Sequence, residues 1–213
     1  MAIELKKGGD RHRIDLTKGG SANQVKGEIV INLDWSKGNS GFFGMFKKPI
    51  DLDLGCFVEM RDGGLWCIDG LQFAHNQGGP RDRQTRQGCY TLNPYVWHNG
   101  DDRDGSAMSG ENISVNPAKI NEIKRMLIYT FIYDGAARWS DTDAVVKVVV
   151  PGIDTIEVKM DQQESNKRFC AIAALDFGGD NSITVTKLVT FFDGHPDCAQ
   201  AYGWPFKFTP GTK

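Results

Sequence analysis

Alternation between apolar and polar residues is the dominant pattern along this chain. Over residues 25–35, and again from Asp51 to Met60, nearly every second position is apolar. A period of two residues is typical of a β-strand that packs one face against a core. In the second of these strands, Asp51 and Asp53 are predicted to project from the same face, opposite the apolar side chains.

Further strands are predicted where β-branched and aromatic residues lie between Gly, Pro, Asn or Asp turns. These segments are residues 65–68, 125–133, 144–150, 155–160, 168–175 and 183–192. Two short helices are predicted at residues 117–126 and 195–202 from their helical spacing of apolar residues. The pattern indicates an all-β fold, a β-sandwich of two mainly antiparallel sheets with one or two short helices. The length of 213 residues suits a single domain, residues 1–213.

Charge argues against one large class of partners. The formal net charge is −2 and the pI about 6.1, so the chain lacks the basic field that nucleic acid binding requires. The basic clusters at residues 6–13 and 81–87 are interleaved with acids or amides, which favours solvated surfaces over phosphate binding.

The first residues are charged where a signal peptide would be apolar, and no run is long enough to span a membrane. A cytoplasmic protein is therefore expected. The five cysteines are odd in number and widely spaced, which predicts reduced, structural thiols.

The most unusual segment is HNGDDRDGSAMSGENISV, residues 98–115, where Asp101, Asp102, Asp104 and Glu111 lie among glycines. Aligned on Gly105, the segment matches an EF-hand loop in part, but the first ligand position is not acidic and the flanks are not helical. Two hypotheses stay open, a solvated turn or a site for Ca²⁺, which accepts oxygen ligands from any backbone that presents them. If Asp51 and Asp53 lie beside this segment, a divalent cation would relieve the repulsion among the acids.

A second candidate is the glycine-rich segment of residues 38–49, which carries Phe42, Phe43, Met45 and Phe46 beside two lysines. Its apolar residues either fold back onto the sandwich or form an exposed patch that docks a protein or a membrane surface.

Catalysis is not predicted. The chain lacks G-x-S-x-G, H-E-x-x-H and P-loop strings. A nucleophile and base could come only from Cys67 or Cys89 with His75 or His98, and each lone histidine is better interpreted as a surface or turn residue.

Four segments together resemble the TerD superfamily of tellurium-resistance and stress-response proteins, and its TerA branch in particular. They are IDLDLGCFVEMRDG at residues 50–63, HNGDDRDGSAMSGENISVN at 98–116, RFCAIAAL at 168–175 and AYGWPFKFTPGTK at 201–213. The resemblance implies a β-sandwich that binds Ca²⁺ through acidic loops, acts in stress responses and has no established catalytic activity. The implied ligands are Asp51, Asp53, Asp101, Asp102 and Glu111, with Asp104 as a weaker candidate.

The sequence departs from the family pattern inside the acidic segment. Met108 and Gly110 replace acids, Asn112 stands where Glu is usual, and Asp104 stands where Ser or Thr is usual. One calcium site is therefore expected rather than two. Expected partners are other stress-response proteins of the same system, membrane-associated ones among them, and a homo-oligomer is also open. The alternatives to a calcium-binding module are docking through residues 42–46 without metal and, with less support, thiol chemistry on tellurite.

Overall fold

Strands dominate the part of the chain that the structure describes. A computed structural model describes residues 2–17, 27–35, 50–70, 79–100, 110–134, 138–160 and 165–209. These ranges contain the strands β1 (Ala2–Glu4), β2 (Arg11–Asp15), β3 (Ile29–Asp34), β4 (Asp51–Met60), β5 (Leu65–Asp69), β6 (Gly88–Cys89), β7 (Val96–His98), β8 (Glu111–Val115), β9 (Ile123–Asp134), β10 (Val145–Val149), β11 (Thr155–Lys159), β12 (Phe169–Phe177) and β13 (Ser182–Phe192). They also contain the α-helix α1 (His195–Ala201) and the 3₁₀ helices Pro117–Glu122 and Trp139–Asp141.

The strands form two sheets. The order is β1-β11-β10-β3-β8-β7-β6 in the seven-stranded sheet and β2-β13-β12-β9-β4-β5 in the six-stranded sheet. Neighbouring strands are antiparallel, apart from β1 and β11, which are parallel. The predicted all-β sandwich is confirmed.

The main core lies between the two sheets. On β4 its members are Leu52, Leu54, Cys56, Val58 and Met60, which are the apolar positions that the sequence pattern assigns to one face. The alternation of side chains along a strand explains this agreement.

A second apolar cluster covers the other face of the six-stranded sheet. It joins Phe57, Tyr129 and Phe169 on the strands to α1 and to Trp204 in the segment that follows the helix. The middle of the six-stranded sheet is therefore buried on both faces. For β4 the expectation of a half-buried strand is wrong, because the face that carries Asp51 and Asp53 is covered as well.

The predicted helix at residues 117–126 is wrong in its second half. The 3₁₀ helix begins after Asn116, whose side chain accepts a hydrogen bond from the Ala118 N–H, and it ends at Glu122. From Ile123 onward the chain is β9, which pairs with β4 and β12 on its two sides, so sheet pairing overrides the local helical spacing. The helix predicted at residues 195–202 is confirmed as α1.

Five strands were not predicted from the sequence: β1, β2, β6, β7 and β8. Each has five residues or fewer, too short for a period of two to stand out. The described part of the chain contains no helix that combines the length and apolar character of a membrane span.

Candidate functional site

Two of the predicted ligands lie at the start of β4. Asp51 is 7% exposed and Asp53 is fully buried. They alternate with Leu52 and Leu54, which face the core between the sheets, so the prediction that both acids share the opposite face is confirmed. Burial of a carboxylate is costly unless hydrogen bonds, a counter-charge or a metal compensates it.

A further acid lies directly across the sheet from Asp51. Asp51 on β4 pairs in register with Asp134 at the end of β9, next to an irregularity in the pairing. Side chains at opposed positions of antiparallel strands are neighbours, and like charges there are destabilising. The strand pairing that brings Asp134 to Asp51 is not visible along the chain.

The strands on the two sides of the acidic residues pair with each other. β7 pairs with β8 through His98 and Ile113, and the Asn99 N–H donates to the Asn112 carbonyl at 2.9 Å, which closes the hairpin neck. Residues 101–109 lie outside the described residues, and with them the predicted ligands Asp101, Asp102 and Asp104.

Gly110 is required at the end of this loop. Its φ of +61° is in the left-handed region that favours glycine, and a Cβ on it would lie 2.0 Å from the Leu33 carbonyl oxygen. An acid at this position, as in the family pattern, would clash with β3. The departure from that pattern therefore has a structural cause.

The neck of the hairpin contacts β4 next to Asp53. Glu111, 1% exposed, accepts a hydrogen bond from the Leu54 N–H at 2.7 Å through Oε2. His98, fully buried, places Nε2 3.0 Å from the Leu54 carbonyl oxygen. Both residues that flank the acidic loop thus bind the residue that follows Asp53.

The described side chains do not complete a metal site by themselves. Among the described residues, no group of three or more His, Cys, Asp or Glu side chains is arranged to hold a metal. The carboxylates present offer only oxygen, which suits Ca²⁺ better than zinc, whose sites typically include Cys or His. A calcium site here would therefore need further oxygens, from residues 101–109, from backbone carbonyls or from water.

The segment that carries Phe42, Phe43, Met45 and Phe46 also lies outside the described residues. Its ends are held together, because the Trp35 indole N–H donates to the Ile50 carbonyl at 3.0 Å. The segment therefore returns to the sandwich one residue before Asp51.

A buried polar group on the outer face of the six-stranded sheet was missed by sequence reasoning. The Asp69 carboxylate, 1% exposed, accepts a hydrogen bond from the Tyr129 hydroxyl at 2.7 Å and lies 2.9 Å from His195 Nε2. His195 is the first residue of α1 and its ring packs against Tyr129, Phe131 and Phe169. These contacts attach α1 to the sheet. The sequence indicated the place of Asp69 only indirectly. It is two residues after Cys67 and therefore lies on the same face of β5.

The thiols are free and mostly buried. Cys56 faces the core between the sheets, whereas Cys67 packs in the outer cluster, so the two point to opposite faces of neighbouring strands. Burial, and secondarily the Asp69 charge, raises the pKa of the Cys67 thiol, and burial raises the pKa of Cys56. A protonated thiol is a poor nucleophile and a poor ligand. Cys67 contacts the Tyr129 hydroxyl, and His98 is engaged with Leu54.

No protein-family profile matches the chain. The tellurium resistance protein TerA of an Alcaligenes species is 38% identical over 193 residues, a match that covers 88% of this chain and 53% of that protein. The chain therefore spans about half the length of this relative.

Two solved structures are similar in fold. A Streptomyces coelicolor homologue of the telluride resistance protein TerD gives a TM-score of 0.55 at 13% identity, covering 81% of this chain and 94% of that one. A protein of unknown function gives a TM-score of 0.50 at 12% identity, covering 81% and 93%. At these identities the similarity shows the fold alone.

Proposed function

Because the chain belongs to the TerD-type tellurium-resistance family, we propose that it is a non-catalytic, calcium-binding module of a cytoplasmic stress-response assembly. The proposed ligands combine the acids of β4 with those of the β7–β8 loop. They are Asp51, Asp53, Asp101, Asp102 and Glu111, with Asp104 as a weaker candidate and Asp134 as a further one.

The observation that carries the proposal is the contact between the hairpin neck and β4. His98 and Glu111 flank the acidic loop on its two sides, and both contact the backbone of Leu54, the residue after Asp53. The acidic loop therefore starts and ends beside the acids of β4. This supports the hypothesis that the two acidic segments serve one site.

The charge arrangement also favours a cation. Asp51 and Asp134 are opposed across two strands, and Asp53 is buried on the same strand as Asp51. A bound Ca²⁺ would supply the positive charge that offsets repulsion among these carboxylates. The carboxylates would in turn hold the start of β4 and the β7–β8 loop in one arrangement, which could present a surface to partner proteins.

Docking through residues 42–46 without metal is the second candidate. The bond between Trp35 and Ile50 supports it, since it anchors both ends of that segment at the sandwich beside Asp51. Thiol chemistry on tellurite has less support, because burial keeps the described thiols Cys56 and Cys67 protonated.

Calorimetric titration of chelator-stripped protein with Ca²⁺, with thermal melts alongside, tests the proposal. We expect saturable binding at one site, and stabilisation of about 2.7 kcal/mol at about 100 times Kd, since only the folded chain assembles the ligands. The double variant Asp51→Asn with Asp101→Asn should lose both effects, whereas the exposed Asp82→Asn should keep them.

Absence of heat and of a melting shift in the wild-type protein would contradict calcium binding. The acidic loop would then be a solvated turn, and docking through residues 42–46 would become the leading hypothesis. Deletion of residues 42–46 tests that alternative through capture of stress-response partners and oligomeric state, each measured with and without calcium.

A further inference from the structure

We propose that the open edge of β5 is a docking site for an extended, acidic segment of a partner protein, which pairs with β5 as an additional strand and places a carboxylate at Arg86. The inference goes beyond the proposed calcium site and does not depend on it, because none of the proposed ligands lines this edge.

β5 differs from the other strands at the edges of the two sheets. Of the four edge strands in the described part of the chain, β1 has three residues and β6 has two, while β2 carries Arg11, His12 and Arg13. Short length and charged side chains protect an edge from pairing with another chain. β5 has five residues, and its single charged residue, Asp69, is buried. The edge of β5 therefore lacks the protection that the other three edges have.

A groove of about 300 Å³ lies along this edge. It is lined by Leu65, Trp66, Cys67, Gln84, Thr85 and Arg86. Successive side chains of a strand point to opposite faces of the sheet. Accordingly, Trp66 packs against the main core between the sheets, whereas Cys67 packs against the second apolar cluster on the other face. A groove that reaches side chains of both faces runs along the edge between them, at the level of the β5 backbone.

The backbone of β5 can accept a further strand. In the described part of the chain, β5 pairs only with β4. Alternate residues of an antiparallel strand direct N–H and C=O away from the paired neighbour, so at least one of residues 65–67 offers both groups to the groove. Across the groove the backbone of Thr85 is already bonded to Gly88, at 3.2 and 3.1 Å. An extended peptide would supply the missing partner, as in other complexes where a peptide adds to a sheet edge.

The groove is preformed, because one residue holds its two walls. The Trp66 indole N–H donates to Asn93 Oδ1 at 2.9 Å, and Gln84 Nε2 donates to the Asn93 carbonyl at 2.7 Å. Trp66 belongs to the β5 wall and Gln84 to the opposite wall. A site that is already ordered loses less conformational entropy when a peptide binds.

Charge and exposure indicate the chemistry of the partner segment. Arg86 is the one charged residue of the lining, it is exposed, and the ion pairs among the described residues do not include it. On the β5 wall, Leu65 is 38% exposed. A strand with an apolar residue beside an acid would cover Leu65 and bind the guanidinium of Arg86 through its carboxylate.

The test uses fluorescein-labelled hexapeptides of the pattern Thr-Val-X-Asp-Val-Thr, in which X is Leu, Ile, Phe or Trp, and measures fluorescence anisotropy in the presence of chelator. We expect saturable binding of at least one peptide. The same peptide with Lys in place of Asp should bind about fivefold more weakly or worse, since it loses an exposed ion pair and gains a like charge beside Arg86. Failure of all four acidic peptides to bind would overturn the inference.

Two pairs of variants separate local contact from general effects. Arg86→Gln should raise Kd by about two- to fivefold, whereas Arg83→Gln removes an equal charge outside the lining and should leave Kd unchanged. Leu65→Ala should also weaken binding, whereas Leu92→Ala changes a leucine that is 52% exposed and does not line the groove. Equal effects within each pair would overturn the inference. Thermal melts confirm that the variants are folded.

Two further measurements test the pairing and the occupant. Saturating peptide should slow amide hydrogen exchange at one or more of residues 65–67 and leave the amides of β2 unchanged; binding without this protection would overturn strand pairing. Sedimentation of the protein alone should show no association through this edge. Self-association that Leu65→Ala and Arg86→Gln both abolish would identify a second copy of the chain as the occupant and overturn the partner assigned here. Since chelator is present throughout, failure of calcium binding and failure of this inference are distinguishable.

Discussion

At the scale of single residues, the structure shows why a particular position must be glycine, whereas the sequence shows only that glycines are frequent. Gly55 lies beneath Tyr129: a Cβ there would lie 2.3 Å from Tyr129 Cε2 and 2.7 Å from the Asp69 Cβ. The DLDLG segment was recognised from the sequence for its acids, whereas its glycine is needed for the close approach of the Tyr129 ring. That requirement depends on β5 and β9, which no local pattern connects to Gly55.

We predict that Gly55→Ala lowers the free energy of unfolding by about 2–3 kcal/mol, near the upper end of the cost of overpacking. Urea denaturation followed by tryptophan fluorescence measures this change. Gly179→Ala is the matched control, since nothing lies within 4 Å of its added Cβ, and it should change stability by less than about 0.5 kcal/mol. Equal effects in the two variants would show that the ring contact is unimportant.

At the scale of elements, the alternation of apolar and polar residues predicted the long strands. Strand pairing determines which acids of the candidate site lie near one another. The bounds of β4 follow from its pattern, yet the approach of Asp134 to Asp51 comes from the register of β4 with β9. β7 and β8 were missed because they are short, and with them the pairing that brings Asn99 and Asn112 together on the two sides of residues 101–109. The candidate ligands were chosen by side-chain type, and the relation of Asp51 to Asp134 required the sheet.

The register of β4 and β9 predicts that Asp134 contributes to calcium affinity. Asp134→Asn should bind the ion more weakly than the wild type, since an oxygen donor loses its charge. Calorimetric titration of the chelator-stripped variant measures this effect.

Asp82→Asn serves as the comparison for that experiment, because Asp82 is exposed and belongs to none of the strands of the site. It should leave the calcium affinity unchanged. Equal affinity in Asp134→Asn and the wild type would exclude Asp134 as a ligand.

At the scale of the whole molecule, the six-stranded sheet is buried on both faces, and this burial changes the pKa values of the thiols and the tyrosine that lie on it. Burial raises the pKa of Cys56, Cys170 and Tyr129, and it raises the pKa of Cys198 to about 12. In the unfolded chain the pKa of a thiol is about 8.5 and that of tyrosine is about 10. Above those values the folded protein holds protons that the unfolded chain has released.

Stability is therefore predicted to fall at alkaline pH. The contribution of these groups to the free energy of unfolding is fully present below about pH 8. It is lost as the pH rises from the pKa values of the unfolded chain towards those of the folded protein, at up to about 1.4 kcal/mol per pH unit for each group. Urea denaturation at several pH values between 7.5 and 10 measures the slope. Cys198→Ala should make the slope shallower by the share of one thiol. An identical slope would show that Cys198 titrates alike in both states.

The sequence by itself determined the fold class, the approximate positions of the long strands and the shared face of Asp51 and Asp53, because each depends on the period of two residues. It also supplied the candidate oxygen-bearing residues, which depend on side-chain chemistry within a short segment. The tertiary structure alone decided that both faces of β4 are buried, that Asp134 opposes Asp51, and that His98 and Glu111 both contact Leu54. The reason is physical: these relations join residues 40 or more positions apart, and only strand register and the packing of the two sheets bring them to one place.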